Sequence, residues 1–540
     1  MVPETRDFVH LRREDRTVTM GAAWSLVGDG FGAVADVVKA VAALVNKYNT
    51  LLARVAADPG LPVPSPTAPY WLADPPHPAL ADMQSETLPR EADVVIIGSG
   101  ITAAAAAKSI LEVSGSSSTS AAPPVRVVVL EARQLCSGAT GRNGGHIKTA
   151  PYEEFARLRG KLGPERACDV ARFQMRHLPA LLEVGKDHPL AEVREVETVD
   201  MFLRDEDFDK AKRDVDAMRE WMPEVDIRVL EGQEARSHIG VNDMVVGALS
   251  YKAGALWPFR LVTGVWNTLL ASYPHLSVDT HTPVQAVSKS ASDPSRPYEV
   301  HTARGVVTAG HVLYATNGFT PHLVPSLRGR LTGVLGHMTA QRPGSSFPRC
   351  HGNRSWSIIS SPGFDYITQR PDMPTGEPGD VMAGGGLFNS REQGLDQLGV
   401  WDDSRVDAFP VMHVRGSMAT VFEPRWGSGS SVEKTWTGVM GFTGDMMPLV
   451  GRLPGQKPPP AKDSGEWIAA GFNGEGMVWA WLCGTAVGIM ILGKEDEDLQ
   501  PGSGRPGGKL DAWFPREVVR VDAARMRRAE LKNLAKEAGV

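Results

Sequence analysis

The chain has 540 residues, 42% hydrophobic and 22% charged, with a formal net charge of −6. That is enough for two domains around a sizeable core, and it excludes the basic surface that nucleic-acid binding requires. Its four cysteines, Cys136, Cys168, Cys350 and Cys483, are widely spaced with no C-x-x-C pair, so neither a zinc site nor a disulfide framework is expected and a reducing, cytoplasmic setting is.

Residues 1–60 read as an N-terminal extension. Met1 to Arg16 is charged, and the apolar stretch behind it is broken by Asp29, Asp36 and Lys39, so neither a secretory signal nor an integral membrane span is expected. From Val34 to Val55 apolar residues recur at three and four, predicting an amphipathic helix. Its partner is the body of the protein or a second copy in a homo-oligomer, with docking on a membrane surface as the alternative. Gly28, Gly30 and Ala33 match G-x-G-x-x-A but follow no β-branched strand, and the match is read as accidental. Residues 61–92 form a proline-rich connector.

The segment 93–184 opens a dinucleotide-binding domain. In ADVVIIGSGITA (Ala92 to Ala103), Val94 to Ile97 predict a buried parallel strand, Gly98 a tight turn, Gly100 close approach to a pyrophosphate, and Ala103 close helix packing. Ile101 and Thr102 start the helix whose first N–H groups face the phosphates. Ser114 to Pro124 is a surface loop. The second strand, Val125 to Leu130, ends in Glu131, placed to accept from ribose hydroxyls, and is followed by Ala132 and Arg133. Next comes CSGATGRNGGHIK (Cys136 to Lys148), with Gly138, Ala139, Thr140, Arg142, Asn143, Gly144, Gly145 and His146. A plain nicotinamide domain has no use for so long a glycine loop, whereas a flavin needs backbone along its pyrophosphate, ribityl chain and ring.

Residues 185–250 fit a first excursion into a substrate domain, with the strand EVETVDMFL and the helix DKAKRDVDAMREWM. Residues 251–330 return to the cofactor domain through the helix LWPFRLVTGVWNTLL and several short strands. Residues 331–435 go back to the substrate domain, where Leu331 to Arg342, Asp365 to Arg370 and Asp380 to Gly386 alternate as antiparallel strands that would roof the ring. Residues 436–495 complete the cofactor domain. There Trp467 to Gly493 is a strand, a glycine turn and an apolar helix whose N-terminus meets the flavin's pyrimidine side. Residues 496–540 hold a flexible linker at Gly502 to Gly507 and a charged helix from Asp522 to Ala538. The 14 histidines are scattered, with no metal-ligand spacing.

The segments VVIIGSGITA, LEARQLCSGATGRNGG, VLYATNGFTP, WTGVMGFTGDMMPLVG and AAGFNGEGM recur in order across about 400 residues. With them the chain resembles the D-amino-acid oxidase and glycine/sarcosine oxidase (DAO) family of FAD-dependent oxidoreductases, most of all the branch similar to gamma-glutamylputrescine oxidoreductase. The resemblance does not reach the N-terminal 90 residues. It implies an α/β fold in which a Rossmann-like FAD-binding domain of the GR2 type interleaves with an α+β substrate domain built on an antiparallel sheet. It further implies hydride transfer from the C–N bond of a small-molecule amine or amino acid to flavin N5, giving an imine, with O2 as acceptor and hydrogen peroxide as product.

By the same resemblance Val284 lies beside the adenine, Ala315, Thr316 and Asn317 close the sheet near the pyrophosphate, and Gly444, Asp445, Gly471, Asn473, Gly474, Glu475, Gly476 and Met477 complete the FAD site. Attachment is non-covalent, because WTGVMGFTGDMMPLVG holds no cysteine and Arg142 stands where one branch carries its histidine. His146 and His337 fall near the ring, each as a flavin contact or a structural histidine. Lys148 either stabilises superoxide at the ring or forms a surface salt bridge. Arg342 and Arg370, with Tyr366, are the substrate-binding candidates on the roof sheet. DVMAGGG lacks the lysine of sarcosine oxidases, so oxidase and dehydrogenase behaviour stand as alternatives. Two further readings are a tailoring oxidoreductase acting on a C–O or C–C bond of a natural product, and a non-catalytic flavin-binding interaction protein.

Overall fold

The computed structural model describes residues 45–115, 123–290, 293–454 and 464–534. The chain divides into two compact units, Met1–Ala53 and Arg54–Val540. Of the first, residues 45–53 are described and helical, with Val45 and Tyr48 exposed. The rest of the amphipathic pattern from Val34, and the Gly28, Gly30, Ala33 match, lie outside the described residues. No described helix is long and apolar enough to cross a membrane, and no cluster of three or more metal-ligating side chains occurs among the described residues.

In chain order, the helix at 45–55 is α1, followed by β1 (Glu91–Ile97), α2 (Ile101–Gly115), β2 (Val127–Leu130), β3 (His146–Ile147), α3 (Pro151–Leu162), α4 (Pro164–Met175) and α5 (His177–Lys186). Then come β4 (Arg194–Phe202), α6 (Asp205–Arg219), β5 (Ile227–Glu231), α7 (Gly232–Ile239), β6 (Gly247–Ala255), α8 (Pro258–Ser272), β7 (Leu276–Asp279), β8 (Val284–Lys289), β9 (Tyr298–Thr302) and β10 (Gly305–Tyr314). The remainder is α9 (Thr320–Leu323), β11 (Leu331–Arg342), β12 (Arg354–Ser360), β13 (Gly363–Gln369), β14 (Val381–Gly385), α10 (Ala408–Phe422), β15 (Ser431–Thr443), β16 (Leu449–Arg452), β17 (Gly465–Ala470), α11 (Ala480–Ile491), α12 (Arg516–Val519) and α13 (Ala523–Arg528).

The first sheet runs β16-β17-β10-β1-β2-β7, parallel from β17 to β7, with the β8–β9 hairpin added beside the start of β10. Continuous apolar runs such as VVVL in β2, buried on both faces, suit strands covered by helices on either side. Ala103 to Ala107 bury α2 almost completely. Helix α11 crosses it closely, because a Cβ at Gly484 or Gly488 would lie only 2.3 or 2.9 Å from the carbonyl oxygens of Thr102 and Ala106.

The second sheet runs β15-β11-β14-β13-β12-β4-β6-β3, with β5 beside β6, and is antiparallel except where β12 meets β4. Its register sets Met338, Gly384, Tyr366, Ser357 and Asp200 in one row across five strands, with Tyr366 and Met338 of that row against Gly144. The opposite face buries Trp356, Ile358, Ile367 and Ala383 with Val414 and Met418 of α10.

Two C-terminal expectations are corrected. Gly502 to Gly507 is a tight turn and not a loose linker: Gly502 and Arg505 exchange backbone bonds of 3.0 and 2.9 Å, and Trp481 Nε1 donates to the Gly504 carbonyl at 2.7 Å. The helix expected from Asp522 stops at Arg528, because the chain turns extended at Glu530 and Leu531 N donates to the Gly329 carbonyl.

Candidate active site

Parallel pairing puts Ile97 beside Leu130, and Gly98 N donates to the Leu130 carbonyl at 2.8 Å, so Gly98 and Glu131 share the carboxyl edge of the sheet. Gly98 has φ +102°, and a Cβ there would lie 2.7 Å from the Ala315 oxygen; one at Gly100 would lie 2.9 Å from Thr140 Oγ1. Thr140 Oγ1 accepts from Ile101 N at 3.0 Å. Glu131 accepts from Ser99 N and Oγ at 3.1 and 2.7 Å, and from Arg133 N at 2.9 Å.

The glycine loop is tied from within. Asn143 donates to the Ala139 and Thr140 carbonyls and accepts from Gly145 N at 2.7 Å. Gly145 has φ +67°, and a Cβ on it would lie 2.2 Å from the Leu256 oxygen. Arg142 is buried and donates to Ser137 O, Thr437 O and Thr67 Oγ1; burial lowers its guanidinium to about 10 while Asp403, at 3.3 Å, opposes the shift. Asp403 also takes Arg133 in a bidentate pair at 3.0 and 3.1 Å.

Much of the remaining wall comes from the connector, which the sequence presents only as proline-rich chain. Thr67 N donates to the Asp403 carbonyl at 2.8 Å, Trp71 Nε1 to the Asn143 carbonyl, and Trp257 Nε1 to the Trp71 carbonyl at 2.8 Å. The Tyr70-Trp71 pair, lone aromatics in an otherwise Pro- and Ala-rich run, was the available signal.

At the far end of the glycine loop, a Cβ on Gly144 would lie 2.5 Å from the Tyr366 ring, and Thr368 Oγ1 donates to the Gly144 carbonyl at 2.6 Å. His146 stacks on Tyr366 at 6.5 Å between centroids, and its Nε2 bonds Ser355 Oγ at 2.9 Å. Burial, and then Lys148, hold its imidazole well below the ordinary range; burial pushes the Tyr366 hydroxyl up to about 12. Lys148 Nζ is paired with Asp200 and donates to Ser357 Oγ at 2.6 Å, while Tyr152 and Tyr251 donate to the other Asp200 oxygen at 3.0 and 2.6 Å. This salt bridge is therefore buried, and Asp200 is a site residue the sequence reading missed.

The turn after β17 supplies the facing wall. Gly471, at φ +78°, donates to Asn317 Oδ1 at 2.9 Å; Asn473, at φ +52°, accepts from Thr443 N at 2.9 Å and donates to the Gly471 carbonyl. The Gly476–Val478 turn, which buries Met477, touches β3. Glu475 Oε2 accepts from Gln174 Nε2 at 2.9 Å, and Gln174 in turn accepts from Thr149 Oγ1 at 2.8 Å. Burial, then the charge of Glu154, raises the Glu475 carboxyl to about 7, and burial with Asp200 raises Glu153. Both keep solvent-accessible surface. Gly98, Gly100, Glu131, Ala132, Gly138, Ala139, Asn143, Ala315, Thr316 and Gly474 also keep open surface amid the buried core. This path of bare backbone, with glycines where a Cβ would collide, fits an extended dinucleotide.

Other candidates stand apart. His337 lies on the α10 side of β11, opposite in direction to Met338: its Nε2 accepts from Asp407 N at 3.1 Å, and burial lowers it to about 4. Arg342 is half-exposed at the end of β11, near Asp380 and Glu433. Arg370 is held by both Glu192 oxygens and by Tyr70, with Trp257 beneath it. Gly444 and Asp445 face the C-terminal segment, through Ala529 and Arg525. Val284 is buried at the start of β8.

Residues 93–488 match the family model described as DAO, FAD dependent oxidoreductase. No curated protein matches the chain. Among solved structures it is similar to glycine oxidase from Geobacillus kaustophilus, at 19% identity and TM-score 0.56 over 76% of this chain and 96% of that one. It is also similar to L-proline dehydrogenase from P. horikoshii, at 18% and 0.56 over 81% and 100%, and to iminodiacetate oxidase from Chelativorans sp. BNC1, at 16% and 0.56 over 77% and 98%. These likenesses establish the fold. The connector contacts at Thr67, Tyr70 and Trp71 precede the matched residues.

Proposed function

From its place in the DAO family of FAD-dependent oxidoreductases, to which this chain belongs, we propose that the protein binds FAD non-covalently and oxidises a carbon–nitrogen bond of an amine or amino acid, with O2 as electron acceptor. The observation that carries this reading is the polar strip formed by Ser355, Ser357, Tyr366, His146 and Lys148, set against the Gly144 loop and the Glu475 turn. Bound FAD supplies the hydride acceptor.

The chain's own residues bind, orient and move protons. The first-turn N–H groups of α2 would hold the pyrophosphate, and Glu131, whose carboxylate accepts from Ser99, would bind the ribose. The start of α11 would offer its positive end to the flavin's pyrimidine side. An amine must be neutral to lose hydride. Glu475, raised to about 7, is suited to take the ammonium proton on Oε1 while Oε2 stays with Gln174. Neutral His146, fixed by Ser355, and the Tyr366 ring orient the substrate.

Anaerobic bleaching of the FAD-loaded protein by a panel of amines, amino acids and hydroxy compounds tests this. Amines or amino acids should bleach it, and air should restore the colour with release of hydrogen peroxide. Bleaching by hydroxy compounds alone overturns the reading. Acid precipitation should leave intact FAD in the supernatant; flavin in the pellet would mean covalent attachment.

A further inference from the structure

The C-terminal segment lies beyond the residues matched to the family, yet it sends a buried cation into the turn between β15 and β16. Arg525 of α13 is only 1% exposed. Its Nη2 donates to the Met447 and Pro448 carbonyls at 2.6 and 3.0 Å, and its Nη1 lies 3.1 Å from Asp445 Oδ2. The same turn is gripped a second time: Gly444 N donates to the Ala529 carbonyl at 2.9 Å, and a Cβ on Gly444 would lie 2.0 Å from the Glu530 oxygen. Stability alone does not account for Arg525. Its Nε and Nη1, and Asp445 Oδ1, are buried with no hydrogen-bond partner among the described residues. A buried pair so incompletely bonded does little to offset its desolvation, and an apolar side chain of similar length would pack there at small cost. What the guanidinium secures is the position of two carbonyls.

From those carbonyls a chain of buried bonds runs to the turn after β17. The Met447 carbonyl also accepts from Thr443 Oγ1 at 2.8 Å, and Thr443 N donates to Asn473 Oδ1 at 2.9 Å. Asn473 Nδ2 donates to the Gly471 carbonyl at 2.7 Å, and Gly471 N to Asn317 Oδ1 at 2.9 Å. In the first sheet this turn follows β17, on one side of β1, while Glu131 follows β2 on the other. An extended dinucleotide crossing the end of β1 has its adenosine half on the Glu131 side and its second half on the β17 side. Resting on the FAD-binding reading, we propose that Arg525 is a positioning residue for the flavin half of FAD, holding the Gly471–Met477 turn in place through Met447, Thr443 and Asn473.

Flavin fluorescence on serial dilution of the FAD-loaded full chain gives the dissociation constant of FAD, and displacement by adenosine diphosphate gives that of the adenosine half alone. Arg525→Met should raise the FAD constant by about fivefold or more and leave the adenosine diphosphate constant within about twofold of the parent. Arg525→Lys, which keeps the charge without the planar fork, should give an intermediate FAD constant. Asp522→Ala removes the cap of α13, where Asp522 accepts from Arg525 N at 2.7 Å, and leaves the two carbonyl bonds; it should lower the melting temperature with both constants within about twofold of the parent. An FAD constant moved less than about fivefold by Arg525→Met, or FAD and adenosine diphosphate weakened alike, overturns the positioning role and leaves FAD binding standing. Should Arg525→Met not fold, Arg525→Lys decides: an FAD constant equal to the parent's overturns the proposal. A parent chain that takes up no FAD overturns the cofactor reading with it.

Discussion

Replacing Lys148 by Met separates a structural from a chemical role for this lysine. Its side chain is 13% exposed and its partner Asp200 only 1%, so the substitution strands a buried carboxylate. Removing one member of a buried pair typically costs about 3–5 kcal/mol. Asp200 keeps the Tyr152 and Tyr251 hydroxyls, which places the expected loss near the lower end, at about 3 kcal/mol. The double variant Lys148→Met/Asp200→Asn, whose amide oxygen still accepts from the tyrosines, should return to within about 1 kcal/mol of the parent. Because Asp200 offsets the ammonium charge, reaction of the reduced protein with O2 should slow by less than about tenfold, or 1.4 kcal/mol. Urea unfolding measures the first quantity and stopped-flow reoxidation the second. A stability loss below about 1 kcal/mol, or a hundredfold loss confined to reoxidation with stability intact, would refute the structural assignment.

Gly100→Val should yield folded protein without FAD, since even a Cβ meets Thr140 Oγ1 at 2.9 Å, whereas Gly28→Val should retain it; absorbance after purification decides, and the opposite pattern rejects the assignment of the cofactor turn. Glu475 provides a pH test. Its folded value, about 7, lies above the ordinary 4.5, so its contribution to stability is full below about 4.5 and is lost as pH rises through about 7. Thermal melts of Glu475→Gln should therefore exceed those of the parent at a pH of about 8 and converge with them at a pH of about 5; a constant offset would show that Glu475 does not titrate in that window.

The strand-turn-helix at Gly98, the acidic end of β2 and the strands β11, β13 and β14 were legible because their signals are local: a glycine spacing, a β-branched run, a two-residue alternation. His337 was placed on a strand correctly, but which face it takes depends on a register of one residue, which alternation alone leaves open. Lys148 could be seen as a cation by the glycine loop. Its neutralising partner arrives on β4, 52 residues later, and no local pattern announces it. Strand β12, with serines alternating among Trp356, Ile358 and Ile359, escaped notice; it is the strand that pairs in parallel with β4. The Gly502 to Gly507 turn looks loose in composition and is held by Trp481, a partner that only the packing of α11 supplies.

The connector's bonds carry a consequence for assembly. Thr67 is joined to Asp403 and Thr437, 336 and 370 residues further along the chain, and Tyr70 to Asp380, 310 residues on. A ribosome delivers the glycine turn of β1 and the Trp71 bond to Asn143 early, yet the bonds of Thr67 to Asp403 and Thr437 must wait until residue 437 has emerged. Closure of the cofactor's surroundings is thus tied to near-completion of synthesis, and a fragment cut to start at residue 93 would lack the clasp at every stage of its life.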